Sequence, residues 1–358
     1  MNTTDQKETL AFKFKQLFDQ LFGSIAKIVL TLVTSYLLYL TLPPILNWAL
    51  LDANWLGTTA ADCDGGGACW VFVRVWWQQL MYGQYPDAEI WRLNICGLLF
   101  VGLVFVMAAD RLFSIKLRRL SLLITLFVFP IVAFVLMYGG FLGLPVVETR
   151  YWGGLFLTLV IAVFGIVTSF PIGVVLALGR MSDLPFVRLF CIGFIELWRG
   201  VPLITVLFMA SVMFPLFMPE GVNIDSLFRA LVGVSLFAAA YMAEIIRGGL
   251  QAIPKGQYEA AKVMGLGYWQ SMFLIILPQA ITIVVPGIVS AFISLIKETT
   301  LVYIIGMFDF LGIVQFSTSN SDWIQYSKEG YVFVGLVFWV LCYSMSRYSR
   351  KLEYVQTR

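Results

Sequence analysis

Charged residues in otherwise apolar stretches are the first candidates for chemistry in this sequence. Glu196 and Arg199 are three residues apart. Glu244 and Arg247 repeat that spacing, and Glu298 directly follows a lysine. A charge in an apolar segment is costly to bury, so it is a functional candidate by default. A guanidinium matches a carboxylate with two parallel donors, which makes Arg199 a candidate carboxylate-binding residue and Glu298 a candidate ammonium-binding residue.

The same spacing also supports a structural interpretation. Residues i and i+3 face each other on a helix, so Glu196 can neutralise Arg199 and fix the helix orientation. We expect Glu244 and Arg247 to form a structural ion pair in the same way. Helix ends and backbone groups freed beside Gly and Pro would bind a charged molecule without any charged side chain. These interpretations stay open at this point.

The elements that carry these residues lie in a membrane, as the composition indicates. Of 358 residues, 60% are hydrophobic and 13% are charged, against roughly 25% charged residues in soluble domains. A water-soluble globular protein is therefore excluded. The 30 Phe and 11 Trp residues fit aromatic belts at the membrane edges. The net charge of +3 is too small to indicate a nucleic-acid partner, and none is expected.

Apolar stretches long enough to cross a bilayer predict an all-α membrane protein with about eight transmembrane helices. A spanning helix needs about 20 mainly apolar residues. The candidate spans cover residues 25–46, 93–109, 120–140, 151–178, 189–214, 230–250, 271–296 and 330–348. The stretch 299–316 is apolar but contains Asp309 and two glycines. For that stretch we expect a short helix or a re-entrant piece on the outer side.

The distribution of Lys and Arg predicts the orientation and the domains. With both termini in the cytoplasm, most of the 24 Lys and Arg residues fall on the cytoplasmic side, which is the positive-inside pattern. We expect residues 1–24 to form a cytoplasmic amphipathic segment, with Phe14, Phe18 and Phe22 on its apolar face. Residues 25–140 should contain three spans and a long periplasmic loop at 47–92. A C-terminal core (150–350) and a cytoplasmic tail (351–358) should follow.

Several kinds of site are missing from the sequence. There is no histidine, which removes the commonest metal ligand and proton relay. No P-loop, catalytic nucleophile motif or metal-ligand cluster occurs, so no catalytic or metal-binding residue is predicted. Cys63 and Cys69 flank three glycines in the loop 47–92. They are either disulfide-bonded, if that side is an oxidising periplasm, or two free thiols.

The loop at 251–270 predicts a short helix outside the membrane. Pro254 breaks the preceding helix, the residues from Gln257 to Met264 are good helix formers, and Gly265 ends the helix. This helix is either a solvated connector or a knob that docks in a groove of another protein.

Fixed residues in this loop resemble a known family signature. Glu259-Ala260-Ala261, then Gly265, then Ile275-Ile276-Leu277-Pro278 fit the pattern E-A-A-x3-G-x9-I-x-L-P, which resembles the signature loop of ABC importer permeases. In that family the loop forms the coupling helix in a cleft of the ATPase subunit. The resemblance implies that ATPase coupling involves Gln257, Glu259, Ala260, Ala261, Gly265 and Leu266.

Further segments resemble the polar amino-acid branch of these permeases (histidine, glutamine and arginine type). The matching stretches are 195–203, 240–249 and 297–301, and the resemblance covers about 150–350. Val201 stands where the branch usually has Thr, and Glu298-Thr299-Thr300 where it usually has Asp-Thr-Ser. The three added spans and the tryptophan-rich loop resemble the larger permease of general L-amino-acid transporters, with a five-helix type I core on the C-terminal side.

The resemblance implies a permease in the bacterial inner membrane that carries L-amino acids into the cytoplasm by alternating access. Arg199 would bind the α-carboxylate and Glu298 the α-amino group, with Glu196 and Thr158 as further substrate-binding candidates. The implied partners are an ATPase homodimer, a second permease in a heterodimer, a periplasmic amino-acid binding protein and the lipid bilayer. The chain would bind no cofactor and have no enzyme activity, because ATP and Mg would lie on the ATPase.

Two alternatives remain. An ion-coupled secondary carrier would use buried carboxylates such as Glu196 and Glu244 as ion sites, and it would take up substrate alone under an ion gradient. A scaffold subunit without a transport path would tolerate Arg199→Ala with transport intact.

Overall fold

The structure, a computed structural model, describes residues 16, 18–63, 65–109, 112–141, 143–219, 221 and 224–356, with side chains up to residue 350. Every regular element in those residues is a helix or a helical turn, which confirms the all-α class. Of the predicted amphipathic segment 1–24, residues 1–15 with Phe14 lie outside the described residues. Phe18 and Phe22 are described, and their ring centroids are 5.0 Å apart.

The chain divides into two compact units, one up to Val75 and the other from Trp76. In the first unit, helix α1 (Ile25–Leu46) begins after Ser24, whose hydroxyl accepts a hydrogen bond from the backbone N–H of Lys27 at 3.3 Å. A π-helical turn (Asn47–Leu51) extends it to a 27-residue apolar helix. A loop with a 3-10 turn (Ala60–Asp62) follows and leads to α2 (Val71–Val75). A disulfide joins Cys63 and Cys69 in this loop.

The second unit contains the remaining helices. They are α3 (Trp77–Tyr82), α4 (Ile90–Ala108), α5 (Ile115–Leu123), α6 (Phe129–Tyr138), α7 (Gly154–Arg180), α8 (Pro185–Gly200), α9 (Leu203–Phe208), α10 (Phe214–Leu216), α11 (Ser226–Ala252), α12 (Lys255–Val263), α13 (Tyr268–Ser271), α14 (Leu277–Glu298), α15 (Phe310–Ser317) and α16 (Ser327–Gln356). π-Helical turns connect α5 to α6, α9 to α10 and α13 to α14.

Within the part of the chain that the structure describes, seven helical stretches are long and apolar enough to cross a membrane, or eight if one bent pair counts as a span. This agrees with the predicted number. The bent pair is α8 with α9 and α10, which meet at 100°. The predicted span over 189–214 is therefore present as this bent pair, because Gly200 ends α8 and Pro202 lacks the N–H needed to continue it. The cytoplasmic position of both termini stays a prediction.

Helix α11 lies at the centre of the second unit and packs against α7, α14 and α8. Small residues on α7 allow this close packing. A methyl group at Gly165 would lie 2.9 Å from Leu295 Cδ2, and one at Gly173 would lie 2.8 Å from Met242 Cβ. Either contact would be too close, so a larger residue would push α7 away from its neighbours. The small residues of this helix thus have a packing role.

The predicted short helix at 299–316 is present as two helical pieces, a 3-10 helix (Thr299–Ile305) and α15. Asp309 caps α15, and its Oδ1 accepts from the backbone N–H of Gly312 at 2.9 Å. This turn is held against the start of α7, since the Gly154 N–H donates to the Phe308 carbonyl at 2.9 Å. Burial raises the pKa of the Asp309 carboxyl to about 6.

Candidate functional site

A cavity of about 370 Å³ lies between α7, α8, α11 and α14. It has the size of a small-molecule pocket. Three of the residues singled out from the sequence line it together, namely Arg199, Glu244 and Glu298. The rest of the wall is aromatic, aliphatic or hydroxylated and consists of Ser169, Phe237, Ala238, Tyr241, Met242, Ile245, Gly287, Ser290, Ala291, Phe292, Ser294 and Leu295.

The carboxylate of Glu244 on α11 is surrounded by three arginines. Arg180, the last residue of α7, approaches Oε1 with Nη1 at 2.7 Å. Arg247 donates to Oε2 from Nη2 at 2.9 Å and from Nε at 3.1 Å. The Glu244–Arg247 ion pair expected from the sequence is therefore present in the structure. Arg180 also binds Glu196 on α8 at 3.0 Å, so it links α7 to both α8 and α11.

Arg199 is the third arginine, and Glu244 holds it least closely. Its Nη1 lies 3.7 Å from Glu244 Oε2, which is too long for a hydrogen bond. Its guanidinium also lies over the Tyr241 ring, 5.6 Å from the ring centroid, a cation–π distance. The Arg199 side chain is 36% exposed. Since Arg199 also lines the cavity, its donors are accessible to another acceptor there.

The ion-pair cluster around Glu244 has more positive than negative groups. Arg180, Arg199 and Arg247 face two carboxylates, those of Glu244 and Glu196. Because Arg180 and Arg247 make the short contacts with Glu244, the excess positive charge is located at Arg199. One anionic group entering the cavity would balance this charge.

Glu298 lies toward the other end of the cavity. Helices α11 and α14 run antiparallel, and a methyl group at Gly287 would lie 3.2 Å from Ile245 Cγ2. Glu298 is eleven residues beyond Gly287, which is about 16 Å along the axis of α14 at about 1.5 Å per residue. Arg199, beside Tyr241 and Glu244, is closer to the Gly287 end. The cavity thus has a cationic end and an anionic end.

Glu196 and Thr158, also proposed from the sequence as substrate-binding residues, do not line this cavity. The Glu196 side chain is 56% exposed and pairs with Arg180 rather than with Arg199. Thr158 is fully buried, and its hydroxyl accepts from the backbone N–H of Phe310 at 3.0 Å. The described contacts of both residues are therefore with other parts of the protein.

Sequence reasoning missed Arg180 and two cavity serines, Ser290 and Ser294. Arg180 ends an apolar stretch, where cations are expected at the membrane surface. Its two acidic partners lie on other helices, so no i, i+3 or i, i+4 spacing reveals them. Ser290 and Ser294 are four residues apart and Glu298 is four further on, so this spacing of polar residues was the available signal for a polar face on α14.

A second, larger cavity of about 650 Å³ lies at the bend between α8 and α9. Its wall is almost entirely apolar side chains of α8 to α11. Arg229, at its edge, donates to the carbonyls of Ala210 and Ser211 at 3.1 and 2.6 Å. These carbonyls belong to the π-helical turn Met209–Met213. Arg229 therefore stabilises the turn, and this cavity lacks the polar groups of a site for a charged molecule.

The predicted helix in the loop 251–270 is α12. It ends at Val263, and Gly265 follows in the left-handed conformation with φ +73°, as the sequence indicates. Ala261 is buried against the rest of the unit, whereas Val263 and Met264 are 88% and 77% exposed. The Tyr258 hydroxyl donates to the Leu250 carbonyl at 3.1 Å, and burial raises the pKa of this tyrosine. α12 is thus anchored on one side and presents an apolar tip on the other.

The long apolar helices and the charged cavity define a polytopic membrane protein of the transport class. The sequence matches the family described as "Binding-protein-dependent transport system inner membrane component" over residues 169–353. The chain belongs to this family of inner-membrane permeases of ABC transporters.

Individual relatives agree with this assignment. The "Inner membrane amino-acid ABC transporter permease protein YhdY" of Escherichia coli is 53% identical, over 93% of this chain and 90% of the relative. The "Glutamate/glutamine/aspartate/asparagine transport system permease protein BztC" of Rhodobacter capsulatus is 39% identical, over 85% of each chain. A crystal structure of an amino acid ABC transporter with histidines has a TM-score of 0.50 at 29% identity, covering 56% of this chain and 91% of the other. The chain is therefore a multi-pass protein of the inner membrane.

Proposed function

We propose that this chain carries L-amino acids from the periplasm to the cytoplasm and that the cavity between α8, α11 and α14 is its substrate site. Arg199 binds the α-carboxylate of the substrate, and Glu298 attracts its α-amino group. Both relatives described above are named as amino-acid permeases. We expect this site to accept many amino acids, because every amino acid presents these two backbone groups.

One observation carries the proposal, namely that Arg199 and Glu298 line the same cavity while Glu244 is occupied by other arginines. A guanidinium can bind a carboxylate with two parallel hydrogen bonds. The two charged ends suit a zwitterion, which enters without adding net charge to the membrane interior. The hydroxyls of Ser290 and Ser294 add polar contacts that are not restricted to one side chain.

ATP drives the transport cycle through a separate ATPase dimer. Helix α12 acts as the coupling helix, with Gln257, Glu259, Ala260, Gly265 and Leu266 at the contact with the ATPase. Ala261, also predicted from the sequence for this contact, is buried against this chain and anchors the helix instead. The exposed tip of α12 at Val263 and Met264 supports the coupling role, since an apolar tip outside the membrane is typical of a docking surface. ATP and Mg bind to the ATPase, and this chain hydrolyses nothing itself. A periplasmic binding protein delivers the substrate.

Uptake into proteoliposomes tests the proposed function. The permease complex is reconstituted with its ATPase and binding protein, and radiolabelled L-glutamine uptake is measured with ATP or with an ion gradient. We expect uptake with ATP only, and at least about a tenfold loss in Arg199→Gln, because a charge-assisted bond to the carboxylate is removed. Arg188→Gln, an exposed position on the same helix, is the control. Uptake by this chain alone under an ion gradient would favour the carrier, and full activity of Arg199→Gln would favour the scaffold.

The second permease of the complex is a different chain in this proposal. Native mass spectrometry of the tagged complex from its own membrane measures the composition. We expect one copy of this chain, one copy of another permease and two copies of the ATPase. Two copies of this chain with the ATPase would contradict the heterodimer but keep the importer.

A further inference from the structure

The contacts of Arg180 point to a role in the carboxylate site that is distinct from substrate contact. Arg180 does not line the cavity. Its guanidinium Nη1 lies 2.7 Å from Glu244 Oε1 and 3.0 Å from Glu196 Oε1. Both carboxylates belong to the helices that form the cationic end of the cavity. Arg180 thus neutralises part of the negative charge near Arg199.

The distances around Glu244 show which arginine is available. Arg180 and Arg247 approach the two carboxylate oxygens at 2.7 and 2.9 Å, while Arg199 stays at 3.7 Å. Coulomb attraction weakens with distance and with prior neutralisation of the partner. Two short contacts satisfy Glu244, and the third arginine keeps its donors for a ligand. Removing Arg180 would leave Glu244 Oε1 with only the longer contact from Arg247 Nε, at 3.2 Å.

We infer that Arg180 is a positioning residue for Arg199. By holding Glu244 and Glu196, it prevents Glu244 from pairing closely with Arg199. Without Arg180, Arg199 moves onto Glu244 and no longer offers a free guanidinium to the substrate carboxylate. This inference rests on the proposed function of Arg199.

A positioning role for Arg180 can be distinguished from a merely structural one by which ligands lose affinity when Arg180 is replaced. A structural residue affects every ligand of the cavity equally. A positioning residue for Arg199 affects the ligand group that Arg199 binds. The loss should therefore depend on the α-carboxylate, and removing the Glu244 charge should offset it.

Equilibrium binding to the purified permease–ATPase complex, without the binding protein, tests this. The probes are L-glutamine and L-glutaminamide, in which an uncharged amide replaces the α-carboxylate. We expect the wild type to bind L-glutamine at least about tenfold more tightly than the amide. Arg180→Gln should lose about tenfold in affinity for L-glutamine and little for the amide.

The double variant Arg180→Gln/Glu244→Gln should regain most of the affinity for L-glutamine, because Arg199 then has no competing carboxylate on α11. Arg188→Gln is the matched control and should bind both probes like the wild type. Equal losses for both probes in Arg180→Gln, or a double variant weaker than Arg180→Gln, would overturn the inference. A wild type that binds neither probe, or both equally, would instead contradict the proposed role of Arg199.

Discussion

The roles of single residues at the cavity follow from the charges around each of them. Glu244 takes part in three ion pairs, and buried carboxylates require such partners. Arg199 is the partner with the longest contact, and Glu298 faces the cavity from α14. In the proposed site these two side chains have separate tasks. Their loss should therefore affect different groups of the substrate.

Glu298→Gln tests this separation. The variant should lose about tenfold in affinity for L-glutamine, because the carboxylate that attracts the α-amino group is gone. It should bind glutaramic acid, which is glutamine without its α-amino group, as the wild type does. Equilibrium binding to the purified complex measures both affinities. Glu148→Gln, at an exposed ion pair with Arg150, is the control, and an equal loss for both ligands in Glu298→Gln would contradict the assignment.

For single residues, the sequence predicted ion pairs correctly where both partners lie on the same helix. The i, i+3 rule correctly predicted Glu244 with Arg247, and the apolar surroundings singled out Arg199 and Glu298. The rule was wrong for Glu196, whose partner Arg180 lies on another helix. Contacts between helices depend on packing and rotation that a single sequence does not reveal.

At the scale of elements, glycines and a buried aspartate determine how short segments meet the long helices. Gly265 ends α12 in the left-handed conformation, and Asp309 caps α15 against the start of α7. The end of α12 at Gly265 was predictable, because glycine commonly follows the last residue of a helix. The buried cap at Asp309 was not predictable, because the burial of Asp309 arises from the approach of two segments far apart in sequence.

Gly265→Ala should impair coupling between this chain and the ATPase. An alanine at φ +73° costs roughly 1–2 kcal/mol, so the turn after α12 shifts. We expect the ATPase activity stimulated by loaded binding protein to fall several-fold while the protein still inserts in the membrane. Gly335→Ala, in the middle of α16 with open space around it, is the control. Normal stimulation in Gly265→Ala would contradict the proposed role of the α12 turn.

Asp309 should make the stability of the protein depend on pH. Its pKa of about 6 in the folded state lies above the ordinary value of 3.8 because burial disfavours the charge. Its contribution to stability is therefore complete below about pH 4 and is lost as the pH rises through 6, by up to about 3 kcal/mol. Asp309→Asn is neutral throughout. We expect the melting temperature of the wild type relative to Asp309→Asn to fall between pH 4 and pH 7.

Thermal unfolding in detergent across this range measures the effect. Asp225→Asn is the matched control, since Asp225 also caps a helix, α11, but is exposed. It should keep the pH dependence of the wild type. If the melting temperature of the wild type, taken relative to that of Asp309→Asn, stays constant or increases with rising pH, then burial of the charged Asp309 carboxylate does not destabilise the protein.

At the scale of the whole molecule, hydrophobicity alone predicted the class and the approximate number of spans. The bilayer requires long apolar helices, so composition and stretch length suffice. The bend between α8 and α9 was not predicted, because 189–214 is apolar enough to be a single span. Arg199, which lines the cavity, directly precedes Gly200 at the end of α8, so the bend begins beside a residue of the proposed site.

A structure of the complete complex with L-glutamine bound is the decisive test of the proposed substrate site. We expect density for the amino acid in the cavity between α8, α11 and α14, with its carboxylate within hydrogen-bond distance of the Arg199 guanidinium and its amino group toward Glu298. Density for L-glutamine in the second permease but not in this cavity, or in this cavity with its carboxylate turned away from Arg199, would contradict the proposal.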